Sequence, residues 1–222
     1  MHTPDNQYAD LRAAMVEKQI RGRGIREERV LNAMGSVPRH EFVPPQWRTR
    51  AYADEPLPIG SGQTISQPYI VAAMIAALQL VGNERVLEIG TGCGYQAAVL
   101  GSLAKEIYTV ECRPELARSA AEHLHCLGFA NVHVHCGDGT MGLPEFAPYD
   151  AIIVAAAAPS VPEPLSQQLA DGGRMIAPVG SENHQVLLFV RKAGTRLDLV
   201  LREPCRFVPL LGRHGWKETD LR

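Results

Sequence analysis

A short apolar run at residues 86–89 leads directly into a glycine-rich turn, and helix-forming residues follow from Tyr95. A strand that enters such a turn and continues into a helix is the ligand-binding corner of a doubly wound α/β sheet. The glycines let a ligand approach the backbone, and the helix N-terminus offers N–H groups that have no partner within the helix. Their spacing, at Gly90, Gly92 and Gly94, is G-x-G-x-G rather than the G-x-G-x-x-G of dinucleotide-binding loops.

Strand-like and helical patterns alternate from residue 85 onward, which predicts a mostly parallel sheet with helices on both faces. The predicted strands cover residues 86–89, 107–111, 132–136, 151–155, 174–178, 186–191 and 197–201. The helical patterns cover residues 95–103, 114–127 and 164–169. Only residues 193–195 separate the last two strands, so these should form an antiparallel hairpin at the sheet edge. A mostly parallel sheet with such an edge resembles the Rossmann-like, seven-stranded sheet of the class I methyltransferase fold, which we therefore expect.

The first third of the chain predicts a helical layer followed by an irregular segment. Residues 8–35 have apolar side chains at helical spacing, with a break at residues 21–24. Prolines spread over residues 37–62 predict an extended region, and one this long is usually functional in a compact protein. The apolar stretch 69–81 predicts a buried helix. We therefore expect one domain, 1–222, in which residues 1–62 form N-terminal helices and a substrate-side loop and residues 63–222 form the α/β core.

Composition restricts the class of partner. The 222 residues carry a formal net charge of −2, which gives no electrostatic reason to expect nucleic acid or an acidic membrane surface as partner. Five cysteines at scattered spacings form no disulfide framework and favour free thiols in a reducing compartment. No secretory signal is visible, so we expect a cytoplasmic protein. The length and the lack of a coiled-coil pattern fit a monomer.

Acidic residues at the ends of the second and third predicted strands complete a candidate cofactor site. Glu111 stands about twenty residues beyond the turn, where an acid accepts hydrogen bonds from ribose hydroxyls. Asp138, between Gly137 and Gly139, is placed to accept from an adenine amino group. Each feature alone has an ordinary alternative: a connecting turn, a solvated carboxylate or an Asp-Gly turn. Together they favour S-adenosyl-L-methionine (AdoMet) over a dinucleotide, because the loop is one residue shorter and nothing basic lies nearby to hold a phosphate.

Several strings of the sequence resemble those of the protein-L-isoaspartate O-methyltransferase family. They are VPRHEFVP (37–44), AYADEPLPIG (51–60), GQTISQP (62–68), EIGTGCGY (88–95), GDG (137–139), PVG (178–180) and RFVPL (206–210). The string GQTISQP is the most specific, because generic methyltransferases share the glycine loop but not this segment. The resemblance extends from residue 30 to residue 216.

The resemblance implies an enzyme that methylates the free α-carboxylate of L-isoaspartyl residues in damaged proteins and peptides. The ester then recloses to a succinimide, which hydrolyses partly to aspartate. Ser66 matches the active-site serine of the family, and Thr64 is the second catalytic candidate. The expected cofactor-binding residues are Gln63, Thr64, Ile65, Ser66, Glu88, Gly90, Thr91, Gly92, Cys93, Tyr95, Glu111, Gly137, Asp138 and Gly139. The expected substrate-binding residues are Asp54, Pro58, Ile59, Gly60 and Val208.

The chemistry of the acceptor explains why no catalytic base is evident. A carboxylate is already ionised at neutral pH, so the enzyme has mainly to position it. Ser66 is suited to orient the carboxylate with a hydrogen bond, while the alternative that it caps a helix starting near Pro68 stays open. We further expect residues 54–62 and a strand at 206–210 to form walls around an extended peptide.

Cys93 departs from the family pattern, which often has serine in this position. The helix N-terminus beside it is expected to depress the thiol pKa and to make the thiol oxidisable.

Two further sets of observations were weighed. Histidines and cysteines cluster at residues 123–136, but their directions on a helix and a strand give no tetrahedral set, so we expect no metal site.

Alternative functions are a related O-methyltransferase that modifies aspartate in a ribosomally made peptide and a non-catalytic AdoMet-binding adaptor. The adaptor would be expected to lack Ser66 or the loop glycines, and this chain has both.

Overall fold

The computed structural model describes residues 4–217 and residue 219. Its N-terminal layer contains α1 (Pro4–Ala14), a π-helical segment (Met15–Ile20), a 3-10 turn (Arg21–Arg23) and α2 (Glu28–Ser36). Gly24 ends the 3-10 turn in the left-handed region, which is the break expected at residues 21–24. The helical layer predicted from the apolar spacing is confirmed.

Residues 37–62 are more regular than their proline content predicts. Two 3-10 helices cover Arg39–Phe42 and Pro45–Arg50. The strands β1 (Leu57–Gly60) and β2 (Gln63–Ile65) then form a small antiparallel hairpin. The expectation of an extended, irregular region was therefore wrong in part. Proline is compatible with the first turn of a helix, where its missing N–H has no partner to lose.

The apolar helix expected within residues 69–81 is α3 (Pro68–Ala77). It ends earlier than the apolar stretch because Gln79 adopts a φ of 50°, outside the right-handed helical region. None of the described helices is long and apolar enough to cross a membrane.

A seven-stranded sheet confirms the predicted α/β core. Its strands are β3 (Arg85–Ile89), β4 (Glu106–Glu111), β5 (Val132–Cys136), β6 (Tyr149–Val154), β7 (Leu169–Gly180), β8 (Gln185–Ala193) and β9 (Arg196–Cys205). They lie in the order β5-β4-β3-β6-β7-β8-β9. Strands β3 to β7 are parallel to their neighbours, whereas β8 pairs antiparallel with both β7 and β9. The predicted hairpin at the sheet edge is thus confirmed.

The helices of the core are α4 (Tyr95–Gly101), α5 (Pro114–Cys126) and α6 (Glu163–Gln168). Side chains of α2, α3 and α4 share one apolar cluster with one face of the sheet, including Val86 and Ile107. The opposite face, including Leu87 and Val110, packs against α6 and the loops near it. Both faces of the sheet are therefore covered, and its strand ends are left to form a site.

Candidate active site

A cleft of about 820 Å³ lies at the carboxyl ends of β3 and β4, bounded by β2 and by residues 208–211. Twelve of the residues predicted for the site line this cleft. They are Gln63, Thr64, Ile65, Ser66, Gly90, Thr91, Gly92, Cys93, Tyr95, Glu111, Gly139 and Val208.

The glycine turn forms the floor of the cleft by folding back onto β4. Gly90 follows the last residue of β3, and its backbone N–H donates to the carbonyl of Val110 at 2.8 Å. Gly92 adopts a φ of 54°, and a Cβ there would lie 3.3 Å from Cδ1 of Ile59 in the hairpin. The turn therefore needs glycine both for its backbone conformation and for close contact with the hairpin.

Glu111, at the end of β4, holds the turn from the other side. One carboxylate oxygen accepts a hydrogen bond from the N–H of Gly92 at 2.8 Å, and the other accepts from the N–H of Arg113 at 3.0 Å. The residue is 5% exposed and lines the cleft. A carboxylate offers about four lone-pair sites, so Glu111 can still accept from a ligand hydroxyl.

Glu88 lies behind the turn and does not line the cleft. Its carboxylate accepts from the Thr109 hydroxyl at 2.6 Å, and the hydroxyls of Thr109 and Thr91 are 2.7 Å apart. Complete burial raises the pKa of the Glu88 carboxyl to about 8. Glu88 was predicted to bind the cofactor, but the alternation of side chains along β3 directs it away from the cleft. It instead stabilises the glycine turn from behind.

Ser66 occupies the wall between the cleft and an adjoining groove of about 1400 Å³. Its carbonyl accepts from Nη2 of Arg39 at 2.8 Å, and within the described residues its hydroxyl has no hydrogen-bond partner. Asp54, rather than Ser66, caps α3, because its carboxylate accepts from the N–H of Tyr69 at 3.0 Å. The capping alternative for Ser66 is thus wrong, and its hydroxyl is available to a ligand.

The structure places four of the five predicted substrate-binding residues outside the lining of both cavities. Asp54 is bound to α3 and forms an ion pair with Arg23 at 2.7 Å. Pro58, Ile59 and Gly60 belong to β1, in the hairpin that covers the glycine turn. Only Val208 lines the cavities as predicted.

The groove beside Ser66 is bounded by α3, the end of β9 and the segment that follows β9. Its lining comprises Arg23, Pro56, Thr64, Ser66, Gln67, Tyr69, Ile70, Ala155, Glu182, Glu203, Pro204, Cys205, Arg206, Phe207, Val208 and Pro209. Five of these, Thr64, Ser66, Ala155, Val208 and Pro209, also line the cleft. We call these five residues the shared wall.

The segment 206–210 is not the strand that the sequence predicts. It runs beside the loop after β6, where the N–H of Ala157 donates to the carbonyl of Val208 at 2.8 Å. The amide side chain of Gln185 also binds both backbone groups of Phe207, at 2.7 and 3.2 Å. Sequence reasoning missed Gln185, since no local pattern links it to a segment about twenty residues away.

The structure places Gly137 and Asp138 beside the cleft rather than on its lining. One Asp138 oxygen accepts from the N–H and hydroxyl of Thr140, and the other accepts from the N–H of Arg213 at 2.8 Å. Asp138 therefore links the turn after β5 to the C-terminal segment. Gly139 does line the cleft, and a Cβ there would lie 2.6 Å from Cγ2 of Ile89.

Two electrostatic expectations were wrong. Burial raises the pKa of the Cys93 thiol to about 11, so desolvation outweighs the helix N-terminus that was expected to depress it. A basic residue, Arg113, lines the cleft, because the turn after β4 brings it there. The expectation that nothing basic lies nearby therefore fails.

The histidines of β5 pack against an aromatic side chain. The ring centroids of His133 and His135 lie 5.0 and 6.2 Å from that of Tyr108. In the part of the chain that the structure describes, no group of three or more His, Cys, Asp or Glu side chains is arranged to hold a metal ion.

Comparisons with known proteins match this architecture over nearly its full length. A family model described as Protein-L-isoaspartate(D-aspartate) O-methyltransferase (PCMT) matches residues 10–215. The Protein-L-isoaspartate O-methyltransferase of Roseiflexus castenholzii is 54% identical over 209 residues, which cover 94% of this chain and 95% of the relative. Protein-L-isoaspartate O-methyltransferase 2 of Marinobacter nauticus is 54% identical over 218 residues, 97% of this chain and 100% of the relative.

Solved structures are similar in the same way. A protein-L-isoaspartate O-methyltransferase aligns with a TM-score of 0.83 at 30% identity, covering 93% of this chain and 67% of the other. A Plasmodium falciparum methyltransferase in complex with S-adenosyl-L-homocysteine aligns with a TM-score of 0.78 at 23% identity, covering 90% of this chain and 98% of the other. The second alignment supports the fold.

Proposed function

The chain belongs to the protein-L-isoaspartate(D-aspartate) O-methyltransferase family, and we propose from its geometry how its residues serve that family's reaction. It is an AdoMet-dependent repair methyltransferase that acts on isoaspartyl-containing proteins and peptides. The methyl acceptor is the free α-carboxylate of the L-isoaspartyl residue. The observation that carries the assignment of roles is the shared wall, which joins the cleft at the glycine turn to the groove beside Ser66.

The cleft fits AdoMet in the chemistry of its lining. Glu111 supplies acceptors for the ribose hydroxyls, and the glycine turn lets the ligand approach the backbone of residues 90–93. Ile89, Val110 and Leu210 supply apolar surface for the adenine ring. When bound, AdoMet supplies an electrophilic methyl group on its sulfonium sulfur.

The groove receives the damaged peptide, and the shared wall brings its carboxylate to the cleft. Since the acceptor carboxylate is already ionised at neutral pH, the residues of the wall need only orient it. The free hydroxyl of Ser66 donates a hydrogen bond to one carboxylate oxygen, leaving the other to attack in line. Thr64 lies in the same wall and confines the acceptor from the side of β2. Proximity and orientation then account for most of the rate enhancement.

The remaining expectations concern the whole protein. We propose one domain over residues 1–222, of which residues 1–3, 218 and 220–222 lie outside the described part. Residues 1–62 supply the helical layer and cover the substrate side, and residues 63–222 carry the donor site. Free thiols at all five cysteines support a cytoplasmic protein, and a net charge of −2 supports recognition of damaged proteins rather than nucleic acid or membrane. The length and the lack of a coiled-coil pattern in the sequence support a monomer.

Transfer of a labelled methyl group tests this function. The acceptors are two peptides that differ only in L-isoaspartate or L-aspartate at one position. We expect base-labile label on the isoaspartyl peptide alone. Label on the aspartyl peptide would instead indicate a related enzyme that modifies aspartate. Binding of AdoMet without transfer to either peptide would leave the donor site in place and overturn the acceptor assignment.

A further inference from the structure

Arg39 is a completely buried cation next to the shared wall. Its Nε donates to the carbonyl of Ala51 at 2.7 Å, and its Nη2 donates to the carbonyl of Ser66 at 2.8 Å. The guanidinium carbon lies 4.8 Å from the ring centroid of Tyr95, the first residue of α4. One side chain therefore contacts the turn at Ala51, the segment 62–68 that contains Ser66, and the helix that follows the glycine turn.

The charge of Arg39 has no carboxylate partner among the described residues. The titratable groups around it are Tyr95, Cys93 and Tyr52, and burial raises the pKa of each, so all three are neutral at physiological pH. Its Nη1 is buried and makes no hydrogen bond. An unpaired buried cation is costly to maintain, so a requirement for its charge would explain its presence.

The position of this charge indicates what balances it. The guanidinium is bonded to the backbone of Ser66, the residue whose hydroxyl faces the acceptor in the proposed function. The acceptor is an anion, whereas the donor side of the wall takes a ligand with a sulfonium charge. In a site shielded from water, a fixed cation behind the wall favours the anion on its acceptor side.

We propose that Arg39 is a positioning residue that fixes the Ser66 backbone and supplies the counter-charge selecting an ionised α-carboxylate as methyl acceptor. This inference rests on the proposed function, since it takes the acceptor to lie at Ser66. Arg39 acts through the Ser66 carbonyl and does not itself contact the substrate.

Binding of a matched pair of isoaspartyl peptides tests the proposal. One peptide has the free α-carboxylate, and the other has an α-carboxamide of the same shape without charge. Both are titrated into the protein saturated with S-adenosyl-L-homocysteine. We expect wild-type protein to prefer the carboxylate by about 10-fold or more, and Arg39→Met to abolish this preference. Arg50→Met is the control, because Arg50 is exposed and pairs with Glu55 in a neighbouring 3-10 helix.

Arg39→Lys separates charge from geometry. Lysine keeps the cation but loses the planar fork that bonds two carbonyls at once. We therefore expect the carboxylate preference and KM to be largely retained while kcat falls about 10-fold. Equal weakening of both peptides by Arg39→Met, or loss of the preference in Arg39→Lys at pH 6, would show a purely structural role and overturn the proposal.

A pH series with Arg39→Lys keeps the test decisive if Arg39→Met does not fold. A buried lysine loses its proton more readily than arginine. The carboxylate preference of the variant should therefore decline more steeply between pH 6 and 9 than that of wild type, in which Glu88 ionises near pH 8. A preference that stays constant in the lysine variant counts against the counter-charge. If wild type methylates neither test peptide but prefers the carboxylate in binding, and Arg39→Met abolishes that preference, the proposed function fails while the role of Arg39 in carboxylate recognition stands.

Discussion

The carboxylate of Glu111 accepts a hydrogen bond from the backbone N–H of Gly92 at 2.8 Å, which joins the end of β4 to the glycine turn after β3. The second oxygen accepts from the N–H of Arg113 at the start of α5. The proposed ribose acceptor is thus also the residue that sets the spacing between two loops of the donor site. A change at Glu111 should therefore lower AdoMet affinity in two ways: by removing an acceptor for the ribose hydroxyls and by loosening the glycine turn.

Replacing Glu111 with glutamine should weaken AdoMet binding about 10- to 100-fold. The variant keeps one oxygen acceptor but loses a hydrogen bond involving a charged group, which is worth about 1.5–3 kcal/mol. Calorimetric titration with AdoMet measures the effect. Glu106→Gln is the matched control, because Glu106 lies at the opposite end of β4, where its carboxylate accepts from the Tyr108 hydroxyl and forms an ion pair with Arg85 at 3.8 Å. Equal losses in both variants would contradict the assignment.

Removing the Ser66 hydroxyl should lower the rate of methyl transfer and leave AdoMet affinity unchanged. For Ser66→Ala we expect kcat to fall about 10- to 100-fold, because the carboxylate loses one orienting hydrogen bond. Single-turnover kinetics with an isoaspartyl peptide measure the step. Ser61→Ala is the control. It removes a hydroxyl in the turn between β1 and β2 that donates to Glu115 of α5, and it should retain normal kinetics. A normal rate in Ser66→Ala would refute its orienting role.

Glu88 should make the folded protein less stable as the solution becomes alkaline. Burial raises its pKa from 4.5 to about 8, so between these values the folded state holds a proton that the unfolded state has released. Its stabilising contribution is complete below pH 4.5 and is lost as the pH rises through 8. Urea unfolding of wild type and Glu88→Gln across pH 5–9 should show the variant gaining relative stability with pH. Parallel stability curves would contradict this.

Cys93 should resist alkylation despite its place beside a helix N-terminus. Its pKa of about 11 leaves almost no thiolate at pH 7.5, and its side chain is only partly exposed, on the lining of the cleft. Iodoacetamide should instead modify the exposed Cys126 and Cys136 first, which peptide mass spectrometry can follow over time. Labelling of Cys93 as fast as Cys126 in the native protein would show that its burial is not maintained in solution.

The AdoMet side of the site could be predicted because its residues lie close together in the sequence. The strand, glycine turn and helix form one continuous stretch, and Glu111 follows at the end of the next strand, so spacing alone identifies the carboxyl edge of the sheet. Gly139 follows β5, the next strand in the alternating pattern of strands and helices, and could be placed in the same way. The sheet and its antiparallel edge hairpin follow from apolar periodicity for the same reason.

Contacts between distant segments account for what the sequence could not predict. Arg39 meets Ser66 across 27 positions, and nothing near Arg39 indicates that its guanidinium will be enclosed. Burial also determines the pKa values of Cys93 and Glu88, and burial is a property of the completed fold. Asp54 and β1 were expected in the peptide groove because they lie close in sequence to Ser66. In the structure, Asp54 caps α3 and β1 covers the glycine turn.

The shared wall draws its five residues from three separate parts of the chain: β2 and the residue after it, the residue after β6, and the segment after β9. Residues 203–207 line the acceptor groove without lining the donor cleft, whereas the donor acids and glycines lie within residues 90–139. This part of the acceptor groove and the donor site are therefore encoded in different stretches of the gene. Substitutions along residues 203–207 can broaden or narrow which damaged peptides are accepted while the donor half of the enzyme is inherited unchanged.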